Sequence, residues 1–182
     1  QPIDTRVIAL ARLDDVLDGV RRHIAGGKQA YWVCPLLEPT EEEVEGAPTP
    51  AVTRADMLRR LFGDHVALVH GKLAGPARDK EMARFQSGEA KLLVATTVIE
   101  VGVDVPNASL MVIESAERFG LAQLHQLRGR VGRGADASVC LLLRGDNLSQ
   151  TARERLQMMR ATDDGFAIAE ADLKLRGSGE LL

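Results

Sequence analysis

The sequence predicts an α/β domain: a parallel sheet with helices on both faces, followed by a helical hairpin. Three observations lead there. Short apolar runs of strand length alternate with helical stretches through most of the 182 residues, as they do where crossover helices join parallel strands. The runs QAYWVCPLL, HVALVH, KLLVAT, LMVIE and SVCLLL are apolar at nearly all positions, which suits strands covered on both sides. Finally, the last two helical stretches follow one another with no strand between them.

Taken in order, residues 6–11 are the first strand candidate, and 14–25 form a helix with Val16, Leu17, Val20 and Ile24 on one face and Gly26-Gly27 as its stop. Residues 29–37 are a nearly continuous apolar run that Pro35 should end. The composition then changes. EPTEEEVEGAPTP, at 38–50, carries five glutamates with Pro39, Gly46, Pro48 and Pro50, so it has little to bury and reads as a solvent-exposed acidic loop; an acidic switch segment is the functional alternative. A helix at about 53–62 closes on Gly63, and a strand at 65–70 runs into Gly71-Lys72. Pro76 opens a helix at 77–86, where its missing N–H costs nothing. Strands follow at 91–96 and 110–114, then a long helix within 119–134 and a strand at 138–143. Ser149 caps a helix to about 161, and a second spans 165–175.

Composition bounds the function. A chain this long builds a proper core, and 45% hydrophobic with 27% charged residues is ordinary for a globular domain. A net charge of −3 argues against coating nucleic acid through bulk positive charge, though not against a local basic groove. Aromatics at 3% make base stacking a poor main mode of binding. Cys34 and Cys140 each sit inside an apolar run with no partner at metal-ligand spacing, so both read as reduced core thiols. No apolar run approaches a membrane span. The chain opens on Gln1 and stops in a glycine-rich run, and both ends read as cuts through a longer polypeptide.

The organising stretch is FGLAQLHQLRGRVGRG, at 119–134. Gln126, Arg130 and Arg133 are spaced i, i+4, i+7, which on a helix makes one polar stripe, while Leu124, Leu127 and Val131 make a separate apolar one. Gly129, Gly132 and Gly134 each weaken such a helix by about 1 kcal/mol relative to Ala, so their presence suggests backbone that must approach something closely. Planar guanidinium groups suit a bidentate grip on phosphate; the plainer alternative is a solvated, Arg-rich helix face.

The run QLRGRVGR resembles motif VI (Q-x-x-G-R-x-G-R) of superfamily 2 helicases, and 120–134 resembles its form in RecG-type ATP-dependent DNA helicases and in the related transcription-repair coupling factors. The resemblance implies a RecA-like fold for residues 1–148, here the second of two lobes, and an arginine finger from Arg133 with Arg130 beside it and Gln126 sensing the nucleotide. Arg128 projects from another side and is expected in a structural pair. KLLVATTVIEVGVDVPNA, at 91–108, resembles motif V. By that resemblance Thr97 contacts a DNA phosphate, with Thr96 and Glu100 beside it, and Gly102 and Asp104 stand near the nucleotide. Thr96-Thr97 and Asp104 would equally suit turn or helix caps. His70-Gly71 resembles a loop that touches the DNA backbone, though a histidine ending a strand serves structure as readily; Lys72 is either a phosphate contact or a surface lysine. Residues 151–182 resemble the TRG hairpin, with Arg155 and Arg176 matching its coupling arginines, and the chain stops before that motif's last loop.

One absence matters as much. No G-x-x-x-x-G-K-[ST] phosphate loop occurs, and Gly26-Gly27-Lys28 enters a strand rather than a helix. ATP and Mg²⁺ would therefore be held mainly by a first lobe outside this sequence, leaving half an active site. The expected partners are branched double-stranded DNA, with the N-terminal RecA-like lobe and DNA-junction-binding domain of the same polypeptide, in the cytoplasm and in the service of DNA repair and recombination. A coupling-factor lobe, or a non-catalytic nucleotide- or partner-binding module on the same fold, are the other readings.

Overall fold

The computed structural model describes residues 3–35, 50–71, 73, 75–96, 105–131 and 137–161. Six strands, β1 (Ile3–Ala9), β2 (Gln29–Cys34), β3 (Val66–Val69), β4 (Leu92–Thr96), β5 (Ala108–Ile113) and β6 (Ser138–Arg144), form one sheet in the order β1-β6-β5-β2-β4-β3. Every pairing is parallel. The described helices are α1 (Leu13–Ala25), α2 (Pro50–Phe62), α3 (Gly75–Gln86), α4 (Leu121–Arg128) and α5 (Gln150–Ala161).

Consecutive side chains of a strand point to opposite faces, and here both faces are dry. Ala30, Trp32 and Cys34 of β2 pack with Leu92 and Val94 under Val16 and Val20 of α1 and Ala55 and Leu58 of α2. Tyr31 and Val33 face the other way, into a second core with Phe85 of α3, Leu124 of α4 and Leu156 of α5. Cys34 and Cys140 are free, buried, and divided between these two cores.

The element boundaries follow local chemistry. Gly27 and Gly63, after α1 and α2, both hold positive φ, 84° and 65°, a conformation that only glycine adopts without strain. Ser149 is the cap expected for α5: its hydroxyl accepts the Ala152 N–H at 3.0 Å. The amino ends of three strands are tied by one buried amide, Gln29. Its Nε2 donates to the carbonyls of Phe85 (2.6 Å) and Ala90 (3.1 Å), and its Oε1 accepts Nδ2 of Asn107 at 3.1 Å. Sequence pattern marks this residue only as the start of an apolar run. The acidic segment expected at 38–50 lies outside the described residues except for Pro50, which instead opens α2, and so does the second hairpin helix.

Candidate functional site

β2 and β5 are neighbours in the sheet, yet the chain leaves β2 for a helix on one face and leaves β5 for a helix on the other. Open α/β sheets hold ligands beyond the carboxyl ends of strands at such a reversal. Glu114 follows the last residue of β5 there. It accepts hydrogen bonds from Trp32 Nε1 and Arg54 Nε, both 2.9 Å to Oε2, and its Oε1 pairs with Arg54 Nη2. The Arg54 guanidinium also lies 5.7 Å from the Trp32 ring centroid, a cation–π distance. Burial alone would raise the Glu114 pKa, but the hydrogen bonds from Arg54 and Trp32 and the charge of Arg54 hold it below the ordinary carboxylate value. A cavity of about 490 Å³ opens beside the pair. Hydrophobic pattern and motif spacing point to neither residue, although a carboxylate ending the run LMVIE is itself a usable signal: a charge among buried neighbours needs a partner.

After Glu114 the chain turns at Ser115 (φ 53°), makes one 3₁₀ turn, and enters α4. Here the expectation of a long helix through the arginines is corrected. α4 ends at Arg128. Beyond it the N–H of Arg130 bonds the carbonyl of Leu127 (3.0 Å) and that of Val131 bonds Arg128 (3.2 Å), the tighter i→i−3 pattern. Gly129 and the glycines after it lower helix propensity, and burial of Val131 at 2% exposure pulls the chain inward. Gln126 and Arg130 therefore do not share a continuous helical stripe, whereas Leu124, Leu127 and Val131 are buried as expected.

Arg128 is the structural residue of the group. It is 2% exposed, and its Nη1 donates to the Met159 carbonyl in the last turn of α5 (2.6 Å) and to Thr5 Oγ1 on β1 (3.3 Å). Gln126 is exposed and Arg130 half-buried; among the described residues the Arg130 guanidinium makes no hydrogen bond or ion pair. His70 is half-buried at the end of β3, where its carbonyl accepts Leu73 N–H at 3.1 Å, and Gly71 is exposed in the turn. Thr96 is the last residue of β4 and is buried. Arg155 lies half-buried on α5. Arg133, Thr97, Glu100, Gly102, Asp104 and Arg176 lie outside the described residues, as does Lys72.

Comparison with known proteins gives a consistent answer. RecG from Escherichia coli K12, an ATP-dependent DNA helicase, is 54% identical over 182 residues, and that of Acidithiobacillus ferridurans 52% over 181; in each case all of this chain matches 26% of the relative. The chain thus spans about a quarter of the length of these proteins. A solved structure of RecG bound to a three-way DNA junction is 42% identical, with a TM-score of 0.81 over 100% of this chain and 23% of that one. Domain 2 of the DEAD-box helicase Mss116p, at 18% identity and a TM-score of 0.62 over 95% of this chain and 69% of that one, shares the fold alone. The helicase conserved C-terminal domain model matches residues 12–135, and the chain belongs to that family.

Proposed function

We propose that this chain is the second motor lobe of a RecG-type, ATP-dependent DNA translocase that remodels branched DNA. The carrying observation is Arg130: directly after α4, in a motif VI sequence, its guanidinium has no acceptor among the described residues. A cation left without a protein partner fits a phosphate supplied from outside the lobe.

On this reading the first lobe, on the same polypeptide, would hold ATP, which supplies the cleavable phosphoanhydride, and Mg²⁺, which would neutralise its charge. Arg133 and Arg130 stabilise charge that develops on the transferred phosphoryl group, Gln126 senses the nucleotide, and Gly102 and Asp104 shape its near wall. His70, Gly71, Thr97 and Glu100 line the DNA backbone, with the enclosed Thr96 fixing where that segment leaves β4. Residues 149–182 form the coupling hairpin through Arg155 and Arg176. The protein works in the cytoplasm on the double-stranded arms of stalled forks.

An arginine finger contributes roughly 10³–10⁵ in rate. In the full-length protein, Arg133→Ala should lower DNA-stimulated ATP turnover by about that factor, with nucleotide affinity largely kept. Turnover close to wild type would remove the assigned role.

A further inference from the structure

A cavity of about 340 Å³ lies between β1 and α5, at the sheet edge farthest from β3. Arg144, Arg153 and Arg160 line it with the amide of Gln157, over an apolar floor that includes Val7 and Leu156. The motor function proposed above has no use for this concentration of positive charge. Arg6, Arg12, Arg54, Arg59 and Arg84 each pair with a carboxylate. The three at the cavity do not. Among the described residues none of them forms an ion pair, and Arg144 reaches only the carbonyl of Gly145, at 3.4 Å. The nearby carboxylates are engaged elsewhere, Glu117 with the Gly145 N–H (2.8 Å) and Glu154 with the Gln150 amide (3.2 Å), while Asp146 is exposed. In a chain of net charge −3, an uncompensated pocket of this kind attracts anions.

The geometry narrows the anion. Arg153, Gln157 and Arg160 are spaced i, i+4, i+7 on one face of α5, which sets them along about 10 Å of helix. Phosphates of one DNA strand rise about 3.4 Å each along the duplex axis and, winding around it, lie farther apart than that, so about two meet that face. Among the described residues no aromatic side chain lines the cavity, and a site without stacking platforms grips backbone rather than bases. The guanidinium fork matches phosphate in a way that a lysine surface does not.

We propose that the cavity between β1 and α5 is a phosphate-binding site that takes the sugar-phosphate backbone of duplex DNA, separate from the motif V and His70 segments. The proposal rests on the DNA-motor function given above. It is tested in the full-length protein with Arg144→Gln, Arg153→Gln and Arg160→Gln combined, and with the three Lys equivalents, by measuring affinity for a branched duplex across a salt series. For every phosphate that the protein ceases to neutralise, the slope of log K against log salt flattens by about 0.9. The Gln variant should therefore show a slope shallower by about 2–3 and weaker binding at low salt, while the Lys variant keeps most of the slope. Inorganic phosphate should raise the protection of wild-type Arg153 from arginine-specific labelling, and duplex DNA should do so at far lower concentration. A wild-type slope in a Gln variant with unchanged thermal midpoint overturns the site. So does protection by an acidic peptide or phosphate with none by DNA. If the triple variant fails to fold, Arg153→Gln alone, at an exposed position, must flatten the slope by about 0.9, and no change overturns the site. Failure of the wild-type protein to bind duplex DNA would instead remove the motor function itself.

Discussion

A single carboxylate, Glu114, joins three elements: Trp32 of β2, Arg54 of α2 and the exit of β5. Its oxygens are satisfied by charged or polar donors in a half-buried place, so removing its charge leaves Arg54 without compensation. Breaking such a pair from one side costs about 3 kcal/mol, and Glu114→Gln should lower the thermal midpoint of the chain accordingly. The pH dependence has a fixed sign. The folded-state pKa of Glu114 is depressed, so its contribution is fully present above the ordinary carboxylate pKa and is lost as pH falls through the lower, folded value. Urea titrations of wild type and Glu114→Gln from neutral to acid pH should show the stability gap closing at the acid end. A constant gap would mean that packing, not charge, is what the substitution disturbs. The cysteines make a second residue-scale case. Burial pushes the Cys140 thiol up to about 12 and Cys34 higher still. The thiolate is the reactive form, so alkylating reagents at neutral pH should modify both only as the chain unfolds; rapid native-state labelling would contradict this.

At the scale of elements, α4 carries the sharpest prediction. Gly129 has φ −65°, and an added Cβ would sit 3.4 Å from the Gln126 carbonyl and 3.5 Å from that of His125, an ordinary contact. Gly129→Ala therefore fits, and it should stabilise the chain by about 0.5 kcal/mol through the unfolded state and helix propensity. It should also favour another turn of helix and swing Arg130 away from its present direction. In the full-length protein the expected signature is a higher melting temperature together with lower DNA-stimulated ATPase; a gain or no change in both would show that helix length does not set the arginine geometry. The same segment marks the limit of what the sequence carries. Apolar runs gave five strands their places because a doubly covered strand has few alternatives, and Gly27 and Ser149 end and begin helices by chemistry that is local; β1, a half-buried edge strand, lies at Ile3–Ala9 rather than the expected 6–11. The stripe through Gln126 and Arg130 misled because spacing assumes a continuous helix, and α4 stops at Arg128, before Gly129. Glu114–Arg54 and the Gln29 staple escaped notice because their partners lie 60 and 56 residues away, and such pairings are fixed only when the sheet closes.

At the scale of the whole molecule, the fold gathers cations without supplying what catalysis would set against them. Arg128 is spent inside, bonding α4 to β1 and to the last turn of α5; Arg128→Met, by leaving the Met159 carbonyl and Thr5 hydroxyl unpaired, should cost about 2–3 kcal/mol. Arg130 is half-buried, with no acceptor among the described residues. No phosphate loop occurs anywhere in the 182 residues, so these cations have no bound triphosphate to act on within the chain. A net charge of −3 likewise opposes DNA association everywhere except at local patches, and electrostatics supplies essentially all non-specific affinity. The isolated chain should therefore hydrolyse no ATP, with or without DNA, and should bind duplex at the weak end of the range of about 10⁻⁴–10⁻⁶ M typical of non-specific contacts. Phosphate release assays and anisotropy titrations on the purified chain test both statements. Robust hydrolysis by this chain alone would mean that it contains a complete nucleotide site, and the division of labour between two lobes would have to be abandoned.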